Sequence, residues 1–448
     1  MRVPSAIIRD LRLRLDSKPA LAILALLHSA VTCLSLIKVA SFQSYIHFSG
    51  DTVWVAVVVA AAFSAVSLLF AVARFSFGYF IGFYFYTMIL GFLWIDVFSQ
   101  YGYLRLHAGI SAALSLVLIL LPTLFIGAPL RPTVVLSKVH FEHLLTLILV
   151  LSGATIAIAS SYNFRFVAIS HIYDYRDTIE FPAALRYLVG WISSTLLPFA
   201  FACYWLLGCR WRAMLVLVLL LLLYPVTLTK FAFFTPIWII ALAILSGVFA
   251  ARTSTLLTLF LPMLAGVILI SISVPYLYDT AIYAPADAAR IRMFDIINIR
   301  MMATASSALD IYNHFFASHP PTWFCQISLL KPLMNCYYQE PLAVVMQNTY
   351  GFGNLNASLF ATEGVASVGI YLAPLIAFAS GLVLALGNRA AAGLPPRFVL
   401  MSSGVLPHVL LNVPLSVALL THGLILQFLL WYVMPRDLFE PEPWRRAS

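Results

Sequence analysis

Apolar runs of about 20 residues recur along most of this 448-residue chain, and a run of that length is what an α-helix needs to cross the roughly 30 Å hydrocarbon core of a bilayer. The runs are continuous and lack the apolar–polar alternation of outer-membrane barrels, so the spanning elements are helices. Only 10% of the residues are charged against 62% hydrophobic, with a mean hydropathy of +0.97, far from a soluble composition. The expected fold is all-α: one polytopic integral membrane domain over 1–448. Its expected helices, about twelve in number, lie near 19–40, 53–73, 77–98, 109–128, 141–161, 188–208, 213–229, 231–251, 255–275, 362–387, 398–414 and 416–434.

Arg2, Arg9, Arg12, Arg14 and Lys18 precede the first run and hold the N-terminus in the cytoplasm. Alternation then puts about 16 of the 26 Lys and Arg on the cytoplasmic side, both termini included. The net charge of +9 is therefore an inner-face property, matched to anionic headgroups and not to nucleic acid. The first apolar core, at about 20 residues, exceeds that of a cleaved secretory signal and reads as a retained helix. The implied location is a membrane, crossed many times.

Two stretches outside the runs carry most of the remaining charge, a first outer loop at 162–187 and a large, partly helical one at 276–361. The large loop gathers Arg290, Arg292, Arg300, Asp287, Asp295, Asp310, His314, His319, Tyr312 and Glu340. A charge at mid-bilayer costs at least a few kcal/mol, so such residues collect at a membrane face. Between the two loops, Lys230 interrupts about 37 apolar residues and marks a tight helix-to-helix reversal. No cytoplasmic loop is long enough for a soluble domain. There is no phosphate-binding glycine loop and no zinc-spaced His/Cys set, so neither a cofactor nor a metal is expected.

Each polar candidate has a chemical and a plain reading. Guanidinium forks at Arg165, Arg176, Arg292 and Arg300 suit phosphate oxygens; equally, they suit ion pairs with Asp174, Asp177, Asp287 and Asp295 that order the loops. His314 and His319 fit a base near neutral pH or hydrogen-bonded packing. Glu363, where the chain returns to the membrane, fits a partly desolvated base for a sugar hydroxyl or an acid at a helix N-terminus. Cys325 and Cys336 share the large loop, either as a disulfide in an oxidising compartment or as packed thiols. Exposed tyrosines serve sugar stacking or an interfacial belt, and Gly78 and Gly82 allow close helix packing.

An ordered set of segments resembles the multispanning O-antigen and oligosaccharide repeat-unit polymerases of bacterial envelopes. IYDYRD at 172–177 looks like their first outer-loop motif, and LTKFAFFTPIW at 228–238 like their lysine-centred reversal. RMMATASSALDIYNHFFASHPPTW at 300–323 resembles the arginine-led helix of their large loop, and NLNASLFATEGVASVG at 354–369 the Asn-rich return to a helix. An Arg-x10-Gly spacing described for some members is missing from both loops, so residue roles do not transfer on that basis.

The resemblance implies a glycosyltransferase of the bacterial inner membrane that polymerises lipid-linked repeat units at the periplasmic face, passing a glycan from undecaprenyl diphosphate to a sugar hydroxyl, so that the outer loops at 162–187 and 276–361 are periplasmic. In that reading Arg176 and Arg300, helped by Arg165 and Arg292, neutralise the departing diphosphate. Glu363 takes the acceptor proton, with His319 as second candidate, and Lys230, Tyr173, Tyr312 and Asn356 contact substrate. The expected partners are undecaprenyl-diphosphate-linked oligosaccharides, membrane lipid and a chain-length regulator. An O-antigen ligase would use the same groups. A lipid-oligosaccharide flippase or transporter would instead place ionisable residues at membrane depth within broken helices, and a scaffold would not require arginines in two loops.

Overall fold

A computed structural model of the chain describes residues 13–39, 44–176, 179–277, 294, 298–299, 302–327, 330–352 and 355–439. The helices that matter below are α1 (Lys18–Val39), α2 (Val53–Ser64, carried on as a tighter helix to Val72), α3 (Phe77–Phe98), α4 (Arg105–Phe125), α5 (Lys138–Ser160), α6 (Ala183–Leu206), α7 (Arg210–Thr227), α8 (Lys230–Val248) and α9 (Ala251–Leu277). They continue with α10 (Thr304–Phe316), α11 (Leu342–Tyr350), α12 (Ser367–Ala391), α13 (Pro396–Ser402), α14 (Leu406–Asn412), α15 (Leu415–Leu420) and α16 (Leu424–Val433). Among the described residues no strand occurs beyond a single bridge between Ile46 and Ser99.

Ten helices among the described residues are long and apolar enough to cross a membrane, the make-up of a multi-pass membrane protein. The two final runs do not form continuous spans. Instead of helices over 398–414 and 416–434, the chain makes α13 to α16, none longer than 10 residues. Pro414 cannot supply the N–H a continuous helix needs, and Gly423 adopts a left-handed φ of 74°. A third break, the turn over 403–405, separates α13 from α14, and a hydropathy sum registers none of the three.

The chain divides into two compact units. The first holds residues up to Ile126, Arg252–Ala385 and Leu410–Ser416. Its centre is α3, buried along nearly its whole length and packed by α1, α2, α4 and α10. Ser76 caps α3 by accepting from Tyr79 N–H at 3.0 Å. Gly78 and Gly82 let α4 come close: a methyl on Gly78 would collide with the carbonyl of Thr123, and one on Gly82 with Leu120. At the other side of the unit Arg252 holds Asp16 at 2.8 Å.

The second unit holds Gly127–Ala251, Leu386–Val409 and residues from Val417 on. Here α6 packs on α5, α7 and α13, and α8 packs on α13. The tight reversal expected at Lys230 is present: Leu228 ends α7 at a left-handed φ of 46°, Thr229 caps α8 through Ala232 N–H, and Lys230 is the first residue of α8. Within α6, residues Ile192–Leu196 widen into a π-helical turn. Ser194 Oγ lies 3.0 Å from His422 Nδ1 beside that turn.

Candidate functional site

The segment read as lying wholly at a membrane face sends a helix inward. The small residues Ala305, Ser306, Ser307 and Ala308 open α10 and let it lie against α3. Ser306 Oγ donates to Met88 O at 2.9 Å, and Gly91 leaves the room. At 1.5 Å per residue, Met88 sits about 15 Å back from Phe98, the end of α3, or half the hydrocarbon thickness. The start of α10 is thus at membrane depth, where Ser306 is satisfied by a backbone carbonyl.

Nearer its C-terminus α10 meets the turn between α3 and α4. Asp310 Oδ2 accepts from Ser99 Oγ at 2.8 Å, and the Tyr103 hydroxyl lies between Asp310 Oδ1 and Asp96 Oδ1, 2.7 Å from the latter. One hydroxyl proton cannot serve both carboxyls, so both contacts are hydrogen bonds only when one carboxyl carries a proton. Burial pushes Asp310 up to about 6, although Tyr103, Ser99 and Arg105 pull the other way. Burial also raises Tyr103, with Asp310 and Asp96 adding to it. Arg105 is occupied by backbone carbonyls, those of Ser99 and Tyr101. An aromatic stack closes the corner: Tyr45 on Tyr101, Tyr101 on His314, each pair 4.6 Å apart, with Tyr350 hydroxyl 2.6 Å from His314 Nδ1. Burial lowers His314 below its ordinary value.

The returning segment forms the second half of the site. Tyr312 hydroxyl reaches Leu355 O at 3.4 Å, next to exposed Asn356, and residues Phe360–Ala366 then wind as a π-helix packed on α10. Phe360 meets Phe85 edge to face at 5.1 Å, about 20 Å back from the end of α3. Gly369, with φ 77° and ψ 171°, breaks the path, and Tyr371 lies against His107 in the first turn of α4. The segment therefore rises from membrane depth to the level where α4 begins, turns at Gly369 and descends as the rest of α12.

Glu363 sits in the rising part, 7% exposed. Its Oε1 accepts from both the N–H and the hydroxyl of Ser416, each at 2.9 Å, at the start of α15. Its Oε2 is 2.7 Å from Thr362 Oγ1, which is also 2.9 Å from Ser358 O. Thr362 has one proton to give. Donated to Glu363, it satisfies a carboxylate; donated to Ser358 O, it leaves Glu363 to carry a proton and donate to Thr362. Both protonation states fit the same heavy-atom positions.

A loop braces this arrangement. Thr322 N–H donates to Ala366 O at 2.8 Å and Trp323 N–H to Ser367 O at 3.1 Å. Cys325 and Cys336 are disulfide-bonded, and Tyr338 folds inward to donate to Pro320 O at 2.8 Å. His319 is exposed, its ring stacked on Phe315 at 3.9 Å and its Nδ1 2.8 Å from Phe315 O.

Glu363, Asn356, Tyr312 and His319 thus belong to the first unit. In the second unit, Arg165 hydrogen-bonds through its backbone to Pro225 O and holds its guanidinium 5.8 Å from the Tyr175 ring centre. Among the described residues Asp174 pairs with His171, at 3.1 Å, and not with an arginine. Arg292 and Arg300 lie outside the described residues, as do the side chains of Tyr173 and Arg176. Sequence reasoning passed over Asp96, Tyr103 and Ser416; Tyr103 and Ser416 have partners 207 and 53 positions away. The signal available for Asp96 was a lone carboxyl in the last turn of an apolar run. No protein-family model matches the chain, and no curated protein or solved structure does.

Proposed function

We propose that this chain is a membrane glycosyltransferase that polymerises lipid-linked oligosaccharide units, moving a glycan from undecaprenyl diphosphate to a sugar hydroxyl at the periplasmic face. The observation that carries this reading is Glu363 itself, a buried carboxyl held by Ser416 and by the Thr362 hydroxyl, which can turn to Ser358 O instead. The acceptor hydroxyl gives its proton to Glu363 as its oxygen attacks the anomeric carbon. The bond from that carbon to the diphosphate oxygen breaks, and undecaprenyl diphosphate departs with the electron pair. Arg176 and Arg300, assisted by Arg165 and Arg292, stabilise that charge through planar forks. Lys230, Tyr173, Tyr312 and Asn356 hold substrate, with His319 as the reserve base.

The test is the polymer ladder from cells carrying Arg176→Lys, Arg300→Lys or Glu363→Gln, normalised to membrane protein level. Short or absent polymer at normal abundance is expected from each; normal ladders from both arginine variants would remove the diphosphate assignment. A second reading, a lipid-oligosaccharide flippase, is favoured by the helix breaks over α13–α16 and by a carboxyl held at membrane depth beside one of them. Liposomes containing the chain separate the two, because a flippase moves the lipid-linked unit across without lengthening it.

A further inference from the structure

The disulfide-closed loop keeps large apolar side chains outside. Trp323 is 56% exposed, Leu333 81% and Tyr337 71%, and Met334 is exposed as well. Its neighbour in sequence, Tyr338, is buried, so the inner side of the loop has its own filling. Trp323 and Phe324 both take left-handed φ values, 49° and 66°, which L side chains rarely adopt. The backbone is held in that shape from two sides, by Ala366 and Ser367 and by the disulfide.

The surface next to Trp323 identifies the medium. Residues Phe360–Ala391 wound straight would run about 48 Å, well over the hydrocarbon thickness, and the break at Gly369 leaves a 370–391 stretch of about 33 Å that matches it. That stretch exposes Tyr371, Leu372, Leu375, Phe378 and Leu382 at helical spacing, a stripe facing lipid. Trp323 is hydrogen-bonded two residues before Gly369, at the head of this stripe and at the level where Tyr371 meets His107. Trp and Tyr with an exposed Lys331 close by match the headgroup region, where an aromatic body is apolar and its polar tip is wet.

We infer that Trp323, Leu333, Met334 and Tyr337 form an interfacial anchor, seating the disulfide-closed loop in the headgroup–acyl boundary of the bilayer beside α12. The anchor fixes the height of the Thr322–Ser367 brace, and through it the returning segment that carries Glu363. This rests on the membrane-spanning character of α12 and not on glycosyl transfer.

The full chain in phosphatidylcholine–phosphatidylglycerol liposomes tests it by tryptophan emission. The difference between wild type and Trp323→Phe isolates Trp323 from the other eight of the nine tryptophans. Lipid brominated near the headgroup end of the acyl chain is expected to quench that difference at least twofold, with aqueous iodide leaving it almost unchanged. Quenching by iodide and not by lipid would overturn the anchor. Quenching by neither would overturn it too, since the loop would then be covered by protein, a second copy or a partner. Leu333→Trp in the wild-type background reads the same boundary as a gained signal, should Trp323→Phe fail to accumulate.

Discussion

Glu363 Oε1 receives two hydrogen bonds from one residue, Ser416, through its backbone N–H and its hydroxyl, each at 2.9 Å. The two residues are 53 positions apart, so this contact ties the π-helical return to the break before α15. Gln at 363 still accepts at that oxygen and donates to Thr362, which preserves the fold while removing the base. Under the transfer reading Glu363→Gln lowers polymer formation about 100-fold or more at unchanged protein level. Ser416→Ala keeps the N–H contact and costs less than about tenfold. Equal loss from both, with reduced abundance, would make Glu363 a structural tether only.

Asp310 gives a pH dependence whose sign is fixed by burial. An unfolded carboxyl titrates near pH 3.9, and Asp310 in the fold is raised to about 6. Folding thus favours its protonated form, and that stability is fully present below about pH 4 and lost as pH rises through about 6. Thermal unfolding in detergent between pH 4 and pH 7 is expected to show a falling midpoint for wild type and a flatter curve for Asp310→Asn. Parallel curves would contradict the shared-proton arrangement with Tyr103 and Asp96.

Gly78→Ala is expected to destabilise the first unit by about 1–3 kcal/mol, since the added methyl meets the Thr123 carbonyl, which is backbone and has nowhere to go. Gly102→Ala is the control, with nothing within 4 Å of its added methyl. Melting the two variants side by side in the same detergent checks the difference.

The disulfide closes a loop with a sequence separation of 11, which corresponds to up to about 3 kcal/mol of loop order. Cys325→Ser with Cys336→Ser is expected to raise proteolytic cleavage between Pro320 and Glu340 several-fold while α3 and α4 stay protected. A free-thiol assay on denatured, unreduced protein should count three thiols, Cys33, Cys203 and Cys209. Five would remove the bridge.

The first nine expected helices were legible because each is an unbroken apolar run, and Lys230 betrayed the α7–α8 reversal as a lone charge in a long one; the break at Gly369 in the tenth left no mark in its hydropathy. The inward course of α10 was not. Ser306 and Asp310 read as surface, and only distant partners, Met88 at 218 positions and Ser99 at 211, make them affordable inside. The same holds for Tyr103, 207 positions from Asp310. Glu363 and the cysteines were found because a carboxyl beside a returning apolar run, and two thiols in one loop, are local signals. Ser416 gave none, being one hydroxyl inside an apolar stretch.

The breaks in α13 to α16 imply an order of events during biogenesis. Membrane-insertion machinery responds to the summed hydrophobicity of a passing segment, and by that measure 398–414 and 416–434 are two ordinary spans. The finished protein holds none of these four helices longer than 10 residues, about 15 Å, half the distance across the hydrocarbon. The stretch must therefore enter as one kind of object and mature into another, with the backbone groups freed at Pro414 and Gly423 finding partners only once neighbouring helices have arrived. Ser416 N–H, claimed by Glu363, is one such group, so the carboxyl at the candidate site also satisfies a backbone donor that the break leaves open.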